Sequence, residues 1–161
     1  MNVPLSPSAR RVQDALVAAG LDCRIVEHAV AARTSAEAAA ALGCSIAEIA
    51  KSLVFRRGDH GAVLVIASGA NRVDERKVAA LLGEPIGKAD AALVRELTGY
   101  AIGGIPPLAH ATPLPTLIDR DLLRFDSVNA AGGTPNAMFP IRPTDLVRVS
   151  GGRVAEIAVL S

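Results

Sequence analysis

The run Ala62-Val-Leu-Val-Ile-Ala67 constrains this chain more than any other stretch. Six apolar residues in a row, bounded by turn signals, read as a strand of the core. Before it stands Lys51-Ser-Leu-Val-Phe55, a second strand, and Arg56-Arg-Gly-Asp-His-Gly61 joins the two as a hairpin-type loop. Lys51 therefore sits at the mouth of an apolar strand. A lysine entering a strand-rich core keeps its ammonium in water, in a pocket or against an anion. The ordinary reading is a strand-end lysine that snorkels to solvent, and only its surroundings raise it above that.

The flanking segments carry clear local signals. Ser6-Pro7 starts a helix whose apolar positions Val12, Ala15, Leu16 and Ala19 recur at helical spacing before Gly20. Leu21, Cys23 and Ile25 then alternate with Asp22, Arg24 and Val26, which predicts a half-exposed strand. Thr34-x-x-Glu37 and Ser45-x-x-Glu48 are capping boxes, the first opening an Ala-rich helix that ends at Gly43. Asp74 and Asp90 are N-caps for helices stopped by Gly83 and Gly99. Pro85 to Lys88 is an extended link. Thr116–Asp119, Ser127–Ala131 and Ala137–Ile141 read as strands. Pro143 to Leu146 reads as one helical turn, and Val147–Val149 with Arg153–Val159 as a closing hairpin. Seven or eight short strands without strict β-α-β alternation predict an α/β chain of the α+β type. The expected architecture is a curled, barrel-like mixed sheet flanked by helices, with residues 1–161 forming one domain.

Composition narrows the function classes. Tyr100 and three phenylalanines are the only aromatics, too few for an open groove that stacks successive bases. The net charge of +1 does not suit a protein that tracks long phosphate backbones, although contact with a nucleic-acid end is compatible with it. Met1 to Pro7 lacks a basic segment followed by an apolar run, and no apolar run approaches the roughly 18 residues of a membrane span. Cys23 and Cys44 have neither metal nor redox spacing. These features predict a cytoplasmic protein without a membrane segment, with reduced thiols and with no metal or cofactor.

No nucleophile elbow, phosphate-binding loop or dinucleotide fingerprint is present. His28, His60 and His110 are dispersed; His60 belongs to the hairpin loop, whereas His28 and His110 lie near loops able to face a pocket. What remains is one placed cation, Lys51, and two glycine loops rich in backbone donors. They are Gly99-Tyr-Ala-Ile-Gly-Gly-Ile-Pro-Pro107 and Gly132-Gly-Thr-Pro-Asn136. Such a set suits an anion or a developing oxyanion at an already reactive ester.

Lys51-Ser-Leu-Val-Phe after the Leu42-Gly43 helix end, Asn71-Arg-Val-Asp-x-x-Lys77, Thr98-Gly-Tyr with Gly103-Gly-Ile-Pro-Pro107, and the late Ala131-Gly132 loop occur in this order. Together they resemble the YbaK/ProX family, free-standing relatives of the editing domain inserted in bacterial prolyl-tRNA synthetase. The resemblance implies a deacylase that hydrolyses the ester of mischarged tRNA, for example proline tRNA carrying a wrong small amino acid. It implies that Lys51 matches the family lysine and that Gly103 to Pro107 match the family Gly-x-x-x-Pro loop. Lys51, Gly103 and Gly104 are then the candidate catalytic groups. The substrate pocket is expected to draw on Ile105, Pro106 and Pro107, on His28 and Thr34, and on Ser127, Asn129, Gly132 and Gly133. Relatives acting on alanyl-tRNA carry a histidine in the late strand-loop region, where this chain has Asn129-Ala-Ala-Gly-Gly133. The implied partner is the acceptor end of mischarged tRNA, with an aminoacyl-tRNA synthetase as a candidate second partner and the chain acting as monomer or homodimer. Two other readings fit the same residues: a non-catalytic regulator that binds an aminoacyl adenosine or nucleotide, and a hydrolase of free small esters.

Overall fold

The structure, a computed structural model, describes residues 4–160. The part of the leader reading that rests on Met1, Asn2 and Val3 lies outside them. Helix α1 spans Pro7–Ala18, with Ser6 Oγ accepting from Ala9 N, and buries Ala9, Val12 and Leu16. The short strand β1, Val26–Glu27, leads to α2, Ser35–Leu42. Thr34 Oγ1 accepts from Glu37 N at 3.1 Å, and Glu37 returns a bond to the N–H of Arg33 at 2.6 Å. A 3-10 turn at Ile46–Glu48 follows, with Glu48 Oε1 accepting from both N and Oγ of Ser45.

Strands β2, Ile49–Arg57, and β3, Ala62–Ser68, pair antiparallel through a turn at 58–61. Helix α3, Glu75–Leu82, is capped by Asp74, and α4, Ala91–Thr98, by Asp90. Between them β4, Ile86–Lys88, pairs with β2. The remaining elements are β5, Thr116–Asp119, a 3-10 turn at Arg120–Arg124, β6, Val128–Ala131, β7, Ala137–Ile141, α5, Pro143–Ser150, and β8, Arg153–Ala155.

The sheet runs β1-β7-β6-β2-β3-β5-β8, with β4 also on β2. The pairs β2–β6, β3–β5 and β5–β8 are parallel and the others antiparallel, so the expected mixed sheet flanked by helices is what forms. Every residue of β3 is buried because both faces are covered. On one face Leu64 and Ile66 meet α1, α4 and α5 through Leu16, Val94 and Leu146. On the other, Val63, Val65 and Ala67 meet Val78 of α3 with Leu117 and Ile157.

The path forks at β2. Gly69 N donates to Ile49 O and Arg57 N to Gly61 O, so odd-numbered residues of β2 turn their backbone groups to β3. The opposite edge is shared by β6, which pairs only Ile49–Ala50, and β4, which pairs only Phe55–Arg57. Between these registers, at 51–54, neither strand lies against β2, and a cavity opens there.

Three sequence readings are corrected. Residues 21–25 form no strand; Gln13 of α1 donates to Cys23 O at 2.8 Å and accepts from Ile25 N at 2.9 Å. A side chain thus satisfies backbone groups that the alternating pattern assigns to a neighbouring strand. The expected link at Pro85–Lys88 contains β4. The closing hairpin is absent, because Val147–Val149 continue α5, seating Leu146 in the core. Pro143 is well placed at a first helical turn. Arg153–Ala155 pair parallel with β5 instead.

Candidate active site

The cavity at the fork has a volume of about 330 Å³, near the lower end for small-molecule pockets. Lys51, Ser52 and Leu53 of β2 form one wall, and Thr34 and Ser35 at the start of α2 another. Ile102, Gly103 and Ile105 from the first glycine loop and Ala131 and Pro135 around the second complete it. Aliphatic residues such as Ala38, Ile49, Ala137 and Met138 dominate the remainder. The charged lining residues are Lys51 and the exposed Arg33, both cationic.

Lys51 Nζ donates to Asn71 O at 2.7 Å, which leaves two ammonium protons for a ligand. Partial burial pushes its pKa down, and the nearby Asp119 carboxylate opposes that effect. Ser52 Oγ is buried without a hydrogen-bond partner among the described residues. Among the described residues no histidine, cysteine or carboxylate lines the cavity, so apart from Lys51 its hydroxyls lack a side-chain base. With Lys51 charged, the wall can hold an anion or polarise a carbonyl, and a proton leaves through solvent or a group of the ligand.

The two glycine loops meet directly. Gly133 N donates to Gly104 O at 3.0 Å, and a Cβ on Gly104 would lie 2.7 Å from Thr134 Cα, so glycine permits the crossing. Gly104 N donates to Ala101 O, closing a turn, whereas Gly103 N has no hydrogen-bond acceptor among the described residues. Gly103 therefore offers an available donor on this wall. The loop is fastened from behind. Tyr100, 1 % exposed, donates from its hydroxyl to Ala109 O, and His110 Nε2 bonds Pro106 O. A carbonyl only accepts, so His110 is held with a proton on Nε2. Burial pushes its pKa below the ordinary histidine value.

Residues 29–149 match the family model of the aminoacyl-tRNA editing domain. This chain belongs to the aminoacyl-tRNA editing domain family. It is 31 % identical over 130 residues to the uncharacterized protein YwhH of Bacillus subtilis (strain 168), covering 81 % of this chain and 83 % of YwhH. It is 26 % identical over 127 residues to EbsC of Enterococcus faecalis (strain ATCC 700802 / V583), a candidate Cys-tRNA(Pro)/Cys-tRNA(Cys) deacylase, covering 76 % of each. The crystal structure of a candidate trans-editing enzyme for prolyl tRNA synthetase superposes with a TM-score of 0.92 at 48 % identity, covering 98 % of this chain and 100 % of that one.

Within this editing domain the sequence-predicted residues separate into groups. Lys51, Gly103, Ile105 and Thr34 line the cavity, although Thr34 Oγ1 already caps α2. His28 lies in a small adjoining recess that shares Ala32, Ala38, Pro135 and Met138 with the cavity, and its Nε2 is buried without a partner among the described residues. Pro106 and Pro107 are buried behind the loop and do not line the cavity. Gly132 and Gly133 are also excluded, packed against Ile25 and Ser8 respectively. Asn129 turns its amide toward Cys44 Sγ at 3.6 Å, and Ser127 is exposed before β6 begins. The cavity takes Ala131 from the other end of that strand. Arg33, Ser52 and Ile102 were not singled out, although Arg33 lies in the segment from His28 to Thr34, Ile102 in the first glycine loop and Ser52 beside Lys51.

Proposed function

We propose that this chain is a trans-acting aminoacyl-tRNA deacylase, with residues 1–161 forming one editing domain. The observation that carries the proposal is the placement of Lys51. In a chain of the editing family, it offers two free ammonium protons to a small aliphatic cavity whose lining, among the described residues, holds no histidine, cysteine or carboxylate. An ester linking an amino acid to the terminal ribose is reactive enough for such a site.

Lys51 binds the carbonyl side of the ester or the terminal phosphate, and Gly103 N–H faces the oxygen that becomes negative. Water, or the substrate's own hydroxyl or thiol, attacks the carbonyl carbon. The ester C–O bond then breaks, and the ribose oxygen leaves with a proton. With water as the attacking group, the products are free amino acid and intact tRNA. Arg33 at the mouth suits a backbone phosphate of the acceptor end. The aliphatic walls select by size, where one methylene is worth about 1–3 kcal/mol. That margin favours a small misacylated residue and leaves room for a prolyl-tRNA synthetase partner to add selectivity.

The test is a panel of tRNAs charged with alanine, serine, threonine, cysteine or small non-protein amino acids, incubated with the purified chain. Release of one of them from tRNA is expected. Binding of a non-hydrolysable aminoacyl adenosine without release from any charged tRNA would replace the proposal with a sensing module. Equal turnover of free aminoacyl esters would replace it with a small-ester hydrolase.

A further inference from the structure

Lys51 is attached to a hook, residues 68–72, at the end of β3. Its acceptor is the main-chain carbonyl of Asn71. The Asn71 side chain points the other way: Nδ2 donates to Asp119 Oδ2 at 2.9 Å and Asp121 Oδ2 at 2.8 Å. Both amide protons are therefore engaged by carboxylates. Asp119 Oδ2 also accepts from Ser68 N at 3.1 Å, and Oδ1 from Asp121 N at 3.0 Å. Ser68 Oγ donates to Ala47 O at 2.8 Å, and a Cβ on Gly69 would lie 2.5 Å from Ile46 O, so the hook is pressed against the preceding 3-10 turn.

Asp119 is 1 % exposed and makes no salt bridge among the described residues. A buried carboxylate without an ion pair is costly, and capping one short 3-10 turn does not require that depth. Its hydrogen bonds converge instead on the hook that carries Lys51.

The geometry points to Asp119 as a positioning residue for Lys51, acting through Asn71 to fix where the ammonium sits at the cavity edge. This inference rests on the reading of Lys51 as the deacylation cation. Asp119 also opposes the burial that drives the lysine toward its neutral form. The other charged groups on surrounding elements include Asp121, Arg120 and Arg124 in the 3-10 turn after Asp119 (Arg120 paired with Glu156), Glu48 in the 3-10 turn before β2, Arg72 in the hook and Arg33 at the cavity mouth.

The chain has three lysines, Lys51, Lys77 and Lys88, so selective ¹³Cε labelling gives a readable NMR titration of each in the full chain. In the wild type, Lys51 is expected to titrate below the ordinary lysine value and to show inequivalent Hε protons. Asp119→Asn is expected to lower the Lys51 midpoint further and to shift the alkaline limb of deacylation to lower pH. Asn71→Ala keeps the Asp119 charge but frees the hook. It is expected to collapse the Hε inequivalence and reduce kcat/KM by on the order of ten- to a hundredfold, with a smaller movement of the limb. If Asp119→Asn does not fold, the Asn71→Ala spectra alone decide. An unchanged Lys51 midpoint in folded Asp119→Asn, or persistent inequivalence in Asn71→Ala, would overturn the positioning role. Normal spectra from a wild type that deacylates no tRNA would count against the proposed function and leave the clamp standing.

Discussion

Gly104→Ala places a methyl group where the two glycine loops cross. The added Cβ would sit 2.7 Å from both Thr134 Cα and C, so the loops must part by about 0.7 Å to reach an ordinary 3.4 Å contact. Backbone is on the other side, so no flexible side chain can yield. Overpacking of this kind costs about 1–3 kcal/mol, and stretching the Gly133–Gly104 bond adds roughly 1 kcal/mol. The sum, about 2–4 kcal/mol, corresponds to a Tm lower by roughly 5–15 °C for a chain of this length. The chain has no tryptophan, so far-UV circular dichroism is the suitable probe. The same displacement moves Gly103 N–H by a comparable distance, and misplacement on the scale of 1 Å costs up to about a hundredfold in rate. A folded Gly104→Ala protein should therefore lose deacylation beyond its loss of stability, measured below its own Tm with the substrate found in the tRNA panel. Wild-type Tm would refute the tight crossing. A lowered Tm with unchanged kcat/KM would refute the role of this wall in the chemistry.

Lys51→Ala should keep the circular dichroism spectrum and lose deacylation by about a hundred- to a thousandfold, the usual effect of removing one oxyanion-type donor; full activity would remove Lys51 from the mechanism. His110 has a folded pKa below its unfolded value of about 6.5, so the unfolded chain takes up a proton first as pH falls. Stability should be complete above pH 6.5 and decline as pH drops from there through the lower folded pKa. Tm measured from pH 7.5 to 5 should show that decline, and His110→Phe should flatten it. Gln13→Ala removes two hydrogen bonds to the segment before β1, and urea unfolding should show a loss of about 1–3 kcal/mol.

The helix boundaries were legible because their causes are local. Ser6, Thr34, Asp74 and Asp90 each accept from a backbone N–H two or three residues ahead, and the glycines at 43, 83 and 99 take up left-handed backbone at the ends. The β2–β3 hairpin was legible for the same reason. The errors lie where a distant group decides. Nothing between residues 21 and 25 announces that Gln13 will satisfy Cys23 O and Ile25 N. Nothing near residue 147 announces that β8 will pair with β5, leaving Val147–Val149 to the helix.

The candidate site divides along the same line. By itself the sequence determined that a single lysine stands at a strand mouth and that two glycine-rich loops occur later in the chain, since residue type and spacing are one-dimensional facts. Only the tertiary structure decided that β6 and β4 divide one edge of β2, leaving a cavity at Lys51. It also decided that Gly104 lies under Gly133, that Gly103 retains a free N–H, and that Ser127 and Asn129 turn away. These outcomes depend on which segments meet across long sequence separations, and short-range propensity carries no information about that.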